Sequence, residues 1–132
     1  MTRWMRFENE GRVEFGTVEG ETIRVHEGDM FAGPRDTGRT VARAAVGLLT
    51  PCVPTKMVAL WNNYRALAEK LGQATPPEPL WFIKANSSFH PGGQPIRMPA
   101  SSPGKVIFEG ELGIVIGKRT ARVTEAEAPA HI

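Results

Sequence analysis

Phe108-Glu109-Gly110-Glu111-Leu112-Gly113-Ile114-Val115-Ile116-Gly117-Lys118 closes the longest strand-like pattern in the chain, which begins at Val106. Side chains on a strand alternate between faces with a period of two. One face of residues 106–116 then carries Val106, Phe108, Gly110, Leu112, Ile114 and Ile116 and is suited to a core. The other carries Ile107, Glu109, Glu111, Gly113 and Val115, so two carboxylates project side by side. Residues i and i+2 on a strand lie about 6.5–7 Å apart. Carboxylates at that spacing can converge on one cation, because each metal–oxygen bond adds about 2.0–2.6 Å of reach. The all-oxygen donor set suits Mg²⁺ or Mn²⁺ better than Zn²⁺, since no Cys or His stands beside the pair. Glutamates at alternate strand positions more often just form a solvated face, and strand geometry alone leaves the question open.

The bulk composition narrows the class. The chain has 132 residues, 41% hydrophobic and 23% charged, as in an ordinary globular protein. Its net charge of +2 comes from arginines interleaved with glutamates (Arg3, Arg6, Arg12, Arg24, Arg35, Arg39, Arg43). A nucleic-acid surface needs clustered basic residues, so nucleic acid is not an expected partner. No stretch approaches the roughly 20 apolar residues of a membrane helix, and no apolar segment follows the basic N-terminus as in a signal peptide. A single cysteine, Cys52, rules out an internal disulfide, and a cytoplasmic location is expected.

Upstream of the acidic stretch the pattern is mostly β. Residues 3–8, 14–18 and 22–26 read as short strands separated by turns at Gly11 and Gly20. Residues 28–34 read as a loop. Residues 41–49 are apolar and fit helix or strand. Pro51 and Pro54 mark a boundary, giving a small N-terminal β region over 1–50 and a second region over 51–132. In the latter, residues 56–61 predict a strand, Asn62-Asn63 a cap, 64–71 a helix stopped by Gly72, and 80–84 another strand. His90-Pro91-Gly92-Gly93 forms a turn, and 96–98 a short strand. Thr124 and Glu127 have capping-box spacing for a helix over 124–131.

Three blocks, taken together, are similar to the fumarylacetoacetate hydrolase family: Val58-Ala59-Leu60-Trp61-Asn62-Asn63-Tyr64-Arg65, Trp81-Phe82-Ile83-Lys84, and 108–118 quoted above. They stand in the family's order and approximate spacing, from about Pro51 onwards. The resemblance implies an α+β, mostly β fold: the N-terminal β region followed by the first part of a mixed β-roll, incomplete at the C-terminus. It implies metal-dependent chemistry on 2-oxo or 2-hydroxydienoic acids in aromatic-compound catabolism, closest to the 2-hydroxyhepta-2,4-diene-1,7-dioate isomerase and oxo-acid decarboxylase members. In such enzymes positive charge at the substrate oxygens stabilises an enolate. The same resemblance implies Glu109 and Glu111 as metal ligands, and Lys84, Asn63 and Arg65 as substrate contacts.

Two departures shape the expected reaction. Hydrolytic members carry a histidine and a glutamate on the short helix after Asn-Tyr, where this chain has Leu67 and Lys70; Glu69 is one position off, about 100° around the helix. Isomerisation or decarboxylation is therefore expected ahead of acylpyruvate-type C–C hydrolysis, and no catalytic acid or base is assigned; His26, His90 and His131 read as surface histidines. The family's third ligand is an aspartate on a strand beyond Ile132. A truncated, non-catalytic subunit or gene fragment is the reading from another class. A homodimer or a complementing chain is the expected partner, beside a small oxo-acid substrate, and the chain alone is expected to be inactive.

Overall fold

In a computed structural model, residues 2–132 are described. The N-terminal region is a five-stranded antiparallel sheet: β1 (Trp4–Asn9), β2 (Arg12–Glu19), β3 (Thr22–Glu27), β4 (Arg35–Ala42) and β5 (Gly47–Leu48), in the order β4-β3-β2-β1-β5. Its first two connections are two-residue turns. Glu10 and Gly11 both have positive φ, as a type I′ turn requires, and Gly20 supplies the single positive φ of the next. Those turns set the register Asn9↔Arg12 and Glu19↔Thr22. Period-two alternation then sends Phe7, Ile23 and Val25 to one face, where they are fully buried with Met5, Val41 and Val46 packed against them. Gly16 allows β2 and β3 to pack: a Cβ there would collide with the Arg24 carbonyl and reach 2.8 Å from Ile23 Cγ2. On the opposite face Trp4 meets His26 edge-on at 4.9 Å and lies near Phe15 at 6.1 Å.

β4 fills residues 35–40, for which the sequence carried no expectation between the loop at 28–34 and the apolar run at 41–49. Its sequence, Arg35-Asp-Thr-Gly-Arg-Thr-Val-Ala42, lacks apolar alternation, yet it pairs with β3 across a register shift between Arg24 and His26. Polar cross-strand contacts hold it: Arg24 to Asp36 at 3.3 Å, Arg35 to Glu27 at 3.0 Å, and the Thr37 hydroxyl donating to the Val25 carbonyl at 2.8 Å. An edge strand needs only one ladder partner; Val41 alone of β4 packs on the core, and exposed polar pairs line the rest of the strand. The apolar run 41–49 resolves into the end of β4, a 3₁₀ turn over Arg43–Ala45, and β5.

The second region contains β6 (Met57–Trp61), α1 (Arg65–Lys70) and β7 (Leu80–Lys84). β6 and β7 pair antiparallel from Met57↔Lys84 to Trp61↔Leu80, with Ala59 and Ala68 buried. The expected Asn cap does not form: Tyr64 occupies the N-cap position, and no side chain caps the helix. Asn62 instead takes a positive φ of 54° and its Nδ2 donates to the Ala74 carbonyl at 3.4 Å, closing the turn that reverses the chain after β6. Gly72, with φ of 66°, ends the helix as expected.

The largest correction concerns residues 106–116. They join no sheet, and the same holds for 96–98. A strand is stable through its ladder, and the described residues supply no partner for this one. Phe108 is accordingly 97% exposed and Leu112 88%, so the face expected to be buried is open. At the C-terminal end, Thr124 and Glu127 do form the capping interaction, with the Thr124 N–H and hydroxyl donating to Glu127 Oε2 at 2.9 and 2.8 Å. The helix behind it is only a 3₁₀ turn over Ala128–His131, because Pro129 has no N–H to donate to an α-helical ladder.

Candidate functional site

The site is assembled from the turn after β6 and the acidic stretch. The positive φ of Asn62 swings the chain out of β6, and the Tyr64 carbonyl accepts from the N–H groups of Leu67 and Ala68 at 3.1 and 3.0 Å as α1 begins. That holds the Tyr64 backbone at the N-terminus of α1. The phenol hydroxyl donates to the carbonyl of Gly110, the residue between Glu109 and Glu111. That contact joins residues 46 apart in sequence and involves the Gly110 backbone, not either carboxylate.

Asn63 and Arg65 line an open cleft of about 340 Å³, together with Trp61, Ala68, the 75–79 connector and Leu80. Their side chains offer amide and guanidinium donors, the latter in the planar fork that suits a carboxylate. Lys84 lies elsewhere. It ends β7 opposite Met57, about 13 Å along the strand from Leu80 at the cleft, and its ammonium sits 5.8 Å over the Phe82 ring. The structure therefore sets Asn63 and Arg65 on one cleft, whose lining includes neither Glu109, Glu111 nor Lys84.

Both Glu109 and Glu111 are exposed. Their oxygen donors suit a hard divalent ion, but among the described residues no group of three or more His, Cys, Asp or Glu converges. The pair fits such an ion in donor chemistry alone. Tyr64 was quoted in the sequence block but not singled out as a site residue, and nothing local to Asn-Asn-Tyr discloses that its hydroxyl meets Gly110.

Among the described residues no helix is long and apolar enough to cross a membrane. Comparison with known proteins matches two family models in succession. The first, Rv2993c-like N-terminal, covers residues 2–51, and the second, fumarylacetoacetate (FAA) hydrolase C-terminal, covers residues 56–132. Protein Rv2993c of Mycobacterium tuberculosis is 35% identical over 127 residues, covering 91% of this chain and 48% of that protein. The mitochondrial oxaloacetate tautomerase fahd-1 of Caenorhabditis elegans is 39% identical over 78 residues, 59% of this chain and 36% of its own length. The crystal structure of 2-hydroxyhepta-2,4-diene-1,7-dioate isomerase from Mycobacterium marinum superposes with a TM-score of 0.54 at 30% identity, covering 67% of this chain and 34% of that one. The chain spans about half the length, or less, of these relatives.

Proposed function

Since the chain belongs to the fumarylacetoacetate hydrolase family of enzymes, we propose that it forms the N-terminal part of a metal-dependent isomerase, tautomerase or decarboxylase of 2-oxo or 2-hydroxydienoic acids. The observation that carries this is the family match over residues 56–132, which takes in Glu109 and Glu111 as well as the Asn63 and Arg65 that line the cleft. Oxaloacetate is a 2-oxo acid, and 2-hydroxyhepta-2,4-diene-1,7-dioate is the enol form of one. The named reactions of both relatives therefore move a proton between carbon and an enol or enolate.

In this reading Glu109 and Glu111 hold Mg²⁺ or Mn²⁺, and the remaining ligands come from outside the described residues. A cation there supplies positive charge at the oxygens where negative charge develops on enolisation. Arg65 grips a substrate carboxylate through its fork, and Asn63 orients it through its amide. Lys84 belongs to the substrate pocket only if further chain brings substrate to the far end of β7. Leu67 and Lys70 on α1 offer no water-activating pair, which favours proton transfer over hydrolysis. The exposed apolar residues of β6, β7 and 106–116 suit pairing with further strands, from a second copy or a complementing chain. Aromatic-compound catabolism in the cytoplasm is the setting this chemistry suggests.

The test uses the full-length protein that carries this chain. Ketonisation of oxaloacetate enol and isomerisation of a 2-hydroxydienoate are followed by ultraviolet absorbance with Mg²⁺ and Mn²⁺. Glu109→Gln and Glu111→Gln are expected to lower kcat/KM by on the order of a hundredfold or more. Turnover that survives both substitutions, or excess chelator, sinks the proposal.

A further inference from the structure

We propose that Trp61 and Glu78 are specificity-determining residues of the cleft beside α1, turning it towards planar, conjugated monocarboxylic acids and against short dicarboxylic ones. This rests on the reading above, in which Arg65 takes a substrate carboxylate, and it narrows the acids that do so.

The cleft is walled by three elements. Arg65 opens α1, and Ala68, one turn on, is buried beneath it. Trp61 ends β6 opposite Leu80 of β7 and is 55% exposed, so its indole is a wall of the cleft rather than part of a core. Thr75-Pro76-Pro77-Glu78-Pro79 forms the remaining side. Its three prolines each fix φ near about −65°, so this wall is stiff before any ligand enters.

Arg65 and Glu78 are both exposed and line the same cleft with opposite charge, yet among the described residues neither belongs to an ion pair. Charges that neutralised each other would leave the cleft indifferent to the charge of a ligand. Held apart, they distinguish one end of it from the other. A carboxylate is drawn to the Arg65 fork, and the rest of the ligand then meets the field of Glu78. A second carboxylate a few carbons away encounters like charge there, whereas an uncharged tail does not. The indole adds a flat, polarizable surface on which a conjugated chain stacks better than a flexible saturated one. At about 340 Å³ the cleft stands at the small end of the range for small-molecule sites, about 300–1,000 Å³, so a ligand held at Arg65 does not stay clear of both groups.

Two unreactive probes test this on the full-length protein by isothermal titration in chelator: sorbate, a planar conjugated monocarboxylate, and succinate, a four-carbon dicarboxylate. Without metal the readout belongs to the cleft and not to Glu109 and Glu111. Wild type is expected to bind sorbate about tenfold more tightly than succinate. Glu78→Gln should tighten succinate by about threefold or more and leave sorbate within about twofold. Trp61→Leu should weaken sorbate by about threefold or more and leave succinate within about twofold. Should Trp61→Leu not fold, Glu78→Gln and Glu78→Lys still decide, the lysine being expected to tighten succinate further. A wild type that prefers succinate, or variants that shift both probes by the same factor or neither, overturns the assignment. If Arg65→Gln then weakens both probes, the carboxylate reading of Arg65 survives and only the selectivity falls. If wild type binds neither probe, or Arg65→Gln binds both as wild type does, the two fall together.

Discussion

Phe7→Ala puts the N-terminal sheet to its hardest test. Phe7 is fully buried, lies on β1 between its two partners, and pairs with Glu14 on β2 and Leu48 on β5. With Ile23 and Val25 it makes up the whole fully buried core of this sheet. A phenylalanine side chain buries roughly 150–250 Å², so at about 25 cal/mol per Å² its burial contributes about 4–6 kcal/mol as an upper bound. Measured Phe→Ala substitutions in cores fall at about 3–5 kcal/mol. Stability of about 0.05–0.15 kcal/mol per residue amounts to about 2.5–7.5 kcal/mol for a region of some fifty residues. The substitution therefore removes about two fifths or more of what holds the sheet. Amide exchange of peptides from β2 and β3, followed with increasing urea, is expected to show their protection lost by about 3 kcal/mol or more. Val13→Ala, on an exposed position of β2, is the control and should stay within about 0.5 kcal/mol. A change under about 1 kcal/mol in Phe7→Ala would refute the account of a core centred on three side chains.

Two further outcomes follow from the same sheet. Arg39, and after it Asn9, hydrogen-bond the Glu14 carboxylate and hold its pKa below the ordinary value. A depressed folded-state pKa means the unfolded chain binds the proton more readily. The contribution is then full above the unfolded value of about 4.3 and is lost as pH falls through the folded one. Melting of Glu14→Gln should thus lie below wild type by a constant small amount near neutrality, about 0.2–1 kcal/mol for so exposed a partner, and converge with it in acid. A gap that widens on acidification contradicts the sign. Gly16→Ala places a Cβ against the β3 backbone, so it should destabilise by about 1–3 kcal/mol or more in chemical denaturation. Wild-type stability in Gly16→Ala would mean that β2 and β3 are not as close as described.

The strands β1, β2, β3, β6 and β7 were legible in the linear sequence because each carries its own signal: short apolar alternation or an apolar run, closed by a turn residue. Gly11, Gly20 and Gly72 announce positive φ, which few other residues tolerate. The three blocks likewise carried the family resemblance, since residue identity and spacing survive without coordinates. β4 was not legible, because ion pairs to β3 and not apolar periodicity hold Asp36 and Arg35 in place. The acidic stretch was misread in the opposite sense. Its alternation is a clean strand pattern, but a strand is a relation between two segments, and residues 106–116 find no second one among those described.

Sequence alone thus determined that Glu109 and Glu111 are adjacent oxygen donors in a family pattern, because ligand chemistry is a property of residue type and spacing. Only the tertiary structure decided what holds them and what lies near them. It set Asn63 and Arg65 on the cleft, moved Lys84 to the far end of β7, and brought Tyr64 to Gly110. Those placements depend on how the chain reverses at Asn62 and returns 46 residues after Tyr64, a long-range closure that no local periodicity encodes.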